Sequence, residues 1–233
     1  MFTLVKTDPD AEKRHQGMTC FIAEKEAGVH ENEGEYAGFN VPPQLKKMGY
    51  KGVESTELVF DGYKCPADMI LGGEDEGLNK GFIQMMDALE VGRVNVAARG
   101  VGIAQRALEL ALRYSQERKT FGKPIAEHQA IQFKLADMAT KVEAARLLTL
   151  KAARMKDAGQ RSDLEAGMAK YAASEAAVEN ALEAMRIHGA YGYSKEFNIE
   201  RYYRDAPLLC IGEGTNEMQR IIIARQLVAR DAL

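Results

Sequence analysis

One carboxylate lies between two glycines in the stretch "CIGEGTNEMQR", residues 210–220. Glu213 is that carboxylate, and Thr215 follows it directly before an apolar run; we call residues 212–215 the GEGT loop. Flanking glycines allow unusual backbone angles, so the carboxylate could meet a ligand as a general base. Backbone N–H groups at a helix start can also bind a developing oxyanion. The alternative is a solvent loop with Thr215 as helix cap, and the loop alone favours that alternative.

Two further stretches could contact a phosphate group. In "RYSQERKTFGKPIAEHQAIQ", Arg118 ends a long helical pattern and Gln129 opens the next one. A basic helix end followed by a turn explains these residues, and a nucleotide contact by Arg118 is the functional alternative. In "RIHGAYGY", Gly189 follows an Ala-rich helical pattern, where it could end the helix or admit a phosphate. No strand precedes these glycines, so they do not indicate a Rossmann fold.

Composition excludes several classes of protein. The chain has 233 residues, is 46% hydrophobic and 28% charged, and has a net charge of −3. These values are ordinary for a globular protein and do not indicate nucleic acid or anionic lipid as a partner. The three cysteines, Cys20, Cys65 and Cys210, are too widely spaced for a metal knot or disulfide frame, which predicts a reducing compartment.

No stretch of the sequence indicates a metal site, a leader or a membrane span. The acidic run "GGEDEG", residues 72–77, lacks the spacing of a calcium loop and predicts a solvated loop. No signal-peptide pattern is present, and no apolar run approaches the roughly 18–20 residues of a membrane span. We therefore predict a cytoplasmic protein with no membrane span.

The spacing of apolar residues changes near residue 75. Strand patterns precede it, in "FTLVK", "TCFIAEK" (19–25) and "ESTELVFDGY" (54–63), and four helical patterns free of proline follow it. Ser162 and Glu165 suggest a capping box at the third helix. We predict an α+β, mainly α fold, in which part of a β domain (1–75) precedes an up-down four-helix bundle (76–233).

Taken together, these stretches resemble one family, the flavin-dependent acyl-CoA dehydrogenases. The resemblance rests on "GRVNVAARGVGIAQRALELALRYSQERKTFGKPIAEHQAIQFKLADM", then "HGAYGY", then "YYRDAPLLCIGEGTNEMQRIIIARQL", and it covers essentially the whole chain. The pattern R-x-x-F-G-x-x-I and the terminal E-G-T-x-x-x-Q-R are specific together, although each is weak alone. Members carry an N-terminal helical domain and the first half of the β domain ahead of the point where this sequence begins, so the resemblance implies a C-terminal portion.

The resemblance implies a reaction and a base. A glutamate removes the α-proton of an acyl-CoA thioester, the β-hydrogen leaves as hydride to N5 of FAD, and the product is a trans-2-enoyl-CoA. Glu213 matches that glutamate. Some relatives place their base on the first bundle helix, directly before an arginine; the corresponding position before Arg93 is Gly92, and Glu90 is two residues away.

The resemblance also implies binding residues. Arg93 and Gly214 correspond to substrate-binding positions, and the pair Arg204 and Asp205 to residues that help seat the GEGT loop. Members usually have Gln at the position of Arg186 and often Gln at that of Glu217, so these two contacts depart from the pattern. The positions that correspond to FAD-binding residues, several of them reaching across from a neighbouring subunit, are Arg118, Phe121, Gln129, Arg186, Gly189, Thr215 and Glu217.

The implied partners are an acyl-CoA substrate, an electron-transfer flavoprotein and further copies of the chain in a homotetramer or homodimer. Two alternatives stay open. One is a non-catalytic helical oligomerisation module, since the bundle can persist without the rest of the active-site walls. The other is an acyl-CoA oxidase-like activity, with O₂ as electron acceptor.

Overall fold

The computed structural model describes residues 1–231. One compact unit comprises Met1–Lys47 and Lys51–Leu89, and the other comprises Met48–Tyr50 and the chain from Glu90 onward. The predicted α+β, mainly α class is confirmed, whereas the predicted domain boundary between residues 75 and 76 stays a prediction. Within residues 1–231, no helix combines the length and apolar character needed to cross a bilayer.

The first unit contains short antiparallel strand pairs. Its strands are β1 (Phe2–Lys6), β2 (Met18–Ile22), β3 (Phe39–Asn40) and β4 (Val59–Phe60). β1 pairs with β2 and β3 with β4, and the rings of Phe39 and Phe60 stack with centroids 4.4 Å apart. The strand predicted over residues 54–63 is therefore reduced to two residues. The acidic run predicted as a loop forms a short helix, α1 (Gly73–Gly77), with its three acidic side chains exposed.

Helices form most of the second unit. They are α2 (Gly81–Glu117, in this unit from residue 90), α3 (Gln129–Asp157), α4 (Asp163–His188), α5 (Ile199–Ile211) and α6 (Asn216–Arg230). A small hairpin of β5 (Lys119–Thr120) and β6 (Lys123–Pro124) connects α2 to α3. Four long helices are predicted in this part of the sequence, and α5 is the additional helix that the structure shows in this unit.

Small side chains allow α2 and α4 to approach closely. A Cβ added to Gly100 would lie 2.7 Å from the carbonyl oxygen of Ala173, so only glycine fits at this crossing. Buried residues from α2, α3 and α4 form one continuous core, most of them alanines. Close packing of small faces at these crossings is what lets polar side chains of α4 reach the neighbouring helix ends.

Two local predictions fail because tertiary contacts override them. Pro207 lies inside α5, although no proline was expected inside a helix. A proline there removes a backbone hydrogen bond at a cost of about 3 kcal/mol, and the burial of Ala206 and Leu209 against α4 offsets that cost. The capping box is also absent, because the side chain of Ser162 makes no cap hydrogen bond and Glu165 pairs with Arg230.

Candidate active site

The GEGT loop joins α5 to α6 in a strained conformation. Glu213 has φ of 55° and Gly214 has φ of 82°, both in the left-handed region. A non-glycine residue there costs roughly 1–2 kcal/mol, so surrounding contacts must hold it in place. The predicted cap is confirmed, since the Thr215 hydroxyl accepts a hydrogen bond from the backbone N–H of Met218 at 3.4 Å.

The carboxylate of Glu213 lies over the backbone of α2 at Gly92. A Cβ added to Gly92 would be 2.5 Å from Oε2 and 2.8 Å from Cδ of Glu213. Glycine at this position therefore leaves the space that the carboxylate occupies. The two positions that the family resemblance implies for a base, Gly92 on α2 and Glu213 in the GEGT loop, converge on the same point.

Glu90, the other nearby acid, is held elsewhere. Its Oε1 accepts a hydrogen bond from the hydroxyl of Ser162 at 2.5 Å and lies 3.8 Å from Nζ of Lys156. These partners explain why Ser162 does not cap α4. A carboxylate in an ion pair with a lysine is a poor candidate for a base, which leaves Glu213 as the carboxylate that faces Gly92.

Four further residues were predicted to bind a ligand near the GEGT loop or to seat it: Arg93, Arg204, Asp205 and Glu217. Within residues 1–231, the buried Nε of Arg93 has no hydrogen-bond partner, so it is free to donate. Hydrogen bonds from its own backbone N–H and from the Thr215 hydroxyl lower the pKa of Glu217, which is exposed. Arg204 and Asp205 bind the Met48–Tyr50 segment: Arg204 donates to the Met48 carbonyl at 3.0 Å, and Asp205 accepts from the Tyr50 N–H at 2.7 Å.

The support beneath the loop was missed by the sequence analysis. Lys170 on α4 and Gln219 on α6 are fully buried and donate hydrogen bonds to the loop and to the residues beside it. The available signal was a lone lysine in the Ala-rich stretch "GMAKYAASEAA". A buried lysine is uncommon unless it is paired, so its place on the buried face of α4 required a partner.

A second group of predicted residues surrounds the β5–β6 hairpin. Arg118, Phe121 and Gln129 are all exposed, and the Phe121 ring is 97% exposed with φ of 51°. Within residues 1–231, the guanidinium of Arg118 has no carboxylate at salt-bridge distance. The region around the hairpin thus presents a free cation, an aromatic ring and an amide.

The end of α4 belongs to this second group. His188 stacks on Tyr114 with ring centroids 4.3 Å apart, which places the end of α4 beside the end of α2. Gly189 ends α4 with φ of 62°, as predicted, and Arg186 in the last turn pairs with Glu183. Gly189 and Arg186 are exposed.

The two groups lie far apart along α2. Arg118 lies 26 positions after Gly92 in the sequence, and nearly all of that interval is helix. At about 1.5 Å per residue the separation is about 39 Å. The structure therefore places Arg118 and Phe121 around the hairpin, Gln129 at the start of α3 and Gly189 after a residue that stacks near the end of α2, and it keeps Arg118 apart from Glu213.

Comparison with known proteins identifies the family. The profile described as "Acyl-CoA dehydrogenase, C-terminal domain" matches residues 79–228. The chain belongs to the acyl-CoA dehydrogenase family. An acyl-CoA dehydrogenase of Bacillus subtilis is 45% identical over 226 residues, which is 97% of this chain and 56% of the relative. A 3-(aryl)acrylate reductase of Clostridium sporogenes is 44% identical over the same shares of both chains.

Solved structures of this family support the fold. Butyryl-CoA dehydrogenase from Megasphaera elsdenii superposes with a TM-score of 0.88 and is 40% identical, and the match covers 97% of this chain and 55% of that chain. The chain thus spans a little over half the length of the acyl-CoA dehydrogenase relatives that it matches. Members of the acyl-CoA dehydrogenase family are FAD flavoproteins.

Proposed function

We propose that the protein containing this chain removes two hydrogens from an acyl-CoA thioester to form a trans-2-enoyl-CoA, with Glu213 as the base that takes the α-proton. The observation that carries the proposal is the position of the Glu213 carboxylate over Gly92, on a strained loop held from below. Membership of the acyl-CoA dehydrogenase family supports the substrate class.

The surroundings of Glu213 suit proton abstraction next to a thioester carbonyl. The loop leads directly into α6, so backbone N–H groups and the positive end of that helix lie beside the carboxylate. When the α-proton leaves, negative charge develops on the thioester oxygen, and the N–H of Glu213 would donate to it. One such donor contributes roughly 100- to 1,000-fold to the rate in other enzymes. Arg93 and Gly214 would orient the substrate.

The exposed residues around the β5–β6 hairpin fit a nucleotide cofactor. The free guanidinium of Arg118 suits a pyrophosphate, and the exposed ring of Phe121 and amide of Gln129 suit the rest of a nucleotide. Gly189 allows backbone to approach, and Arg186 adds a second cation, while Thr215 and Glu217 would contact the cofactor near the base. Bound FAD supplies a two-electron acceptor at its N5 atom.

The separation of about 39 Å along α2 supports the proposal that two copies of the chain share each FAD. Glu213, Thr215 and Glu217 would come from one copy, and Arg118, Phe121 and Gln129 from its neighbour. A homodimer or homotetramer satisfies this arrangement. The electron-transfer flavoprotein partner and the cytoplasmic location stay predictions.

Replacement of the base tests the proposal. In the FAD-loaded protein, Glu213→Gln should lower kcat for a dye-coupled acyl-CoA assay by at least ~100-fold, because an amide cannot accept the α-proton. Glu109→Gln, an exposed acid paired with Arg106 on α2, is the control and should retain activity. Normal turnover by Glu213→Gln would overturn the assignment. FAD-free wild-type protein that oligomerises without binding acyl-CoA would favour the non-catalytic module, and peroxide release without dye would favour the oxidase.

The reverse reaction is a second candidate. The Clostridium sporogenes relative carries the name of a reductase, and the same carboxylate could return the proton to a 2-enoyl substrate. Assays started from acyl-CoA with an oxidised dye and from enoyl-CoA with a reduced dye measure the two directions separately.

A further inference from the structure

Lys170 is a charged residue that the proposed reaction does not use, and none of its surface is exposed. Its Nζ donates hydrogen bonds to the Cys210 carbonyl at 3.2 Å and to Oδ1 of Asn216 at 2.8 Å. Removing an ammonium group from water is costly unless it is hydrogen-bonded and paired. The fold accepts that cost for Lys170 directly beneath the GEGT loop.

The two acceptors of Lys170 stand on either side of the loop. Cys210 is in the last turn of α5, where unpaired carbonyls favour a cation. Asn216 is the first residue of α6, and its side-chain oxygen faces the ammonium. A single ammonium group therefore connects both ends of the loop that carries Glu213.

Gln219 holds the centre of the same loop. Its Nε2 donates to the carbonyls of Glu213 at 3.2 Å and of Gly214 at 3.0 Å, and its side chain is fully buried. These are the two loop residues with positive φ. Strained backbone persists only where its surroundings over-determine it, and these bonds meet that condition.

Further polar groups complete the network around Asn216. The Ser174 hydroxyl donates to its Oδ1 at 3.1 Å, and its Nδ2 donates to Oε1 of Glu175 at 2.7 Å. Burial lowers the pKa of Lys170, and the charge of Arg93 acts in the same direction, whereas Glu175 opposes both. The network thus extends from the loop to a half-buried carboxylate on α4.

We propose that Lys170 and Gln219 are positioning residues, which hold the GEGT loop in the conformation that places the Glu213 carboxylate over Gly92. The inference rests on the proposed role of Glu213, but the hold on the loop can be measured without any turnover. Neither side chain needs to touch the substrate for this role.

Hydrogen exchange and kinetics of Lys170→Met test the proposal together. Amides of residues 211–217 should exchange about 10- to 100-fold faster, as expected when a hydrogen bond to a charged group is lost. In the FAD-loaded protein, kcat should fall by a similar factor, and KM for acyl-CoA should rise by a smaller one, since the loop that carries the base is displaced while Arg93 on α2 stays. Gln219→Met should act in the same direction, and Lys170→Arg, which keeps the charge and donors, should recover part of kcat.

Asn180→Leu is a matched control for burial. Asn180 is on the same helix, is fully buried, and donates to the carbonyls of Ala104 and Met138. Replacement of Asn180 should destabilise the bundle. The exchange rate of the amides of residues 211–217, measured relative to that of neighbouring segments, should not change.

Several outcomes would overturn the inference. Unchanged loop exchange in both Lys170→Met and Gln219→Met would do so, as would equal loosening of the loop in Asn180→Leu. If Lys170→Met does not fold, Gln219→Met alone decides by the same exchange measurement. If the wild-type protein is inactive but the loop still exchanges faster in these variants, the result would count against the proposed function. It would still support the role of Lys170 and Gln219 in holding the loop.

Discussion

Gly92 and Glu213 occupy adjoining space, because a Cβ at position 92 would lie 2.5 Å from Oε2 of the glutamate. The glycine is in a helix interior, where it costs roughly 0.5–1 kcal/mol relative to alanine. The carboxylate of Glu213, the proposed base, needs the space that a side chain at position 92 would fill. This need explains why a destabilising glycine occupies the position.

Gly92→Ala should therefore lower activity without lowering stability. The methyl group would displace the carboxylate of Glu213, and a misplacement of about 1 Å can cost roughly 100-fold in rate. Steady-state kinetics of the FAD-loaded protein should show the loss mainly in kcat. Gly102→Ala is the control, since Gly102 is on the same helix, is exposed, and has open space where the Cβ would go. Equal activity in both variants would contradict the role of Gly92.

Local features of the site could be predicted from the sequence. The glycines around Glu213 and the cap at Thr215 depend on neighbouring residues only, and both are present. The end of α4 at Gly189 is of the same kind. Residue pattern determines such features, because their partners lie within one helical turn.

Features that depend on distant partners could not be predicted. Lys170 donates a hydrogen bond to Asn216, 46 positions later in the sequence. Ser162 donates to Glu90, 72 positions earlier, so the capping box that the local pattern at Ser162 predicts does not form. Helix α5 was missed because Pro207 disfavours a helix locally, while its burial against α4 favours one. The exposed residues around Phe121 were named through family resemblance, since nothing in an exposed loop specifies its ligand.

Loss of the Thr215 cap should destabilise the start of α6. Thr215→Ala removes the acceptor of the Met218 N–H and should lower the free energy of unfolding by about 1 kcal/mol in urea titrations. Thr215→Ser keeps the hydroxyl, so its free energy of unfolding should match that of the wild type to within a few tenths of a kcal/mol. A Thr215→Ser variant as unstable as Thr215→Ala would mean that the methyl group, and not the cap, contributes the stability.

Glu165 should contribute stability that depends on pH. Burial alone would raise its pKa, but the Arg230 guanidinium, bonded at 2.9 and 3.2 Å, outweighs burial and lowers the pKa below its usual value. A lowered folded-state pKa gives stability above the unfolded value near ~4.3, which is lost as pH falls through the folded value. Glu165→Gln should therefore be less stable than wild type by about 1.5–3 kcal/mol at pH 7 in urea titrations, with the difference shrinking in acid.

The exposed pair of Glu109 and Arg106 is the control for that measurement. Its atoms are 2.8 Å apart, but both side chains are about half exposed, and such pairs contribute little. Glu109→Gln should match wild type at pH 7. A pH-independent deficit in Glu165→Gln would indicate lost packing in place of a lost ion pair.

His188 should destabilise the bundle in mild acid. It is buried, its ring stacks on Tyr114, and burial lowers its pKa. As pH falls below about 6.5 the unfolded chain gains a proton that the folded state resists, so stability falls with pH. His188→Phe keeps a ring against Tyr114 and should lose less stability between pH 7.5 and 5.5 in thermal unfolding. An equal loss in both proteins would assign the acid sensitivity to other groups.

Mixed oligomers should regain activity if two copies share each cofactor. Arg118→Ala should be nearly inactive because it loses a cofactor contact, and Glu213→Gln because it loses the base. Arg118 and Glu213 lie about 39 Å apart along α2, so the two groups can serve one FAD only across an interface. In a mixed assembly, a site that takes Glu213 from the first variant and Arg118 from the second is intact, so co-expressed variants should recover a substantial fraction of wild-type kcat. Co-expression of Arg118→Ala with Phe121→Ala is the control and should stay inactive, since both changes affect the same side of each site. No recovery in the first mixture would contradict the sharing of cofactors, since that is the result expected when each FAD takes both groups from a single copy of the chain.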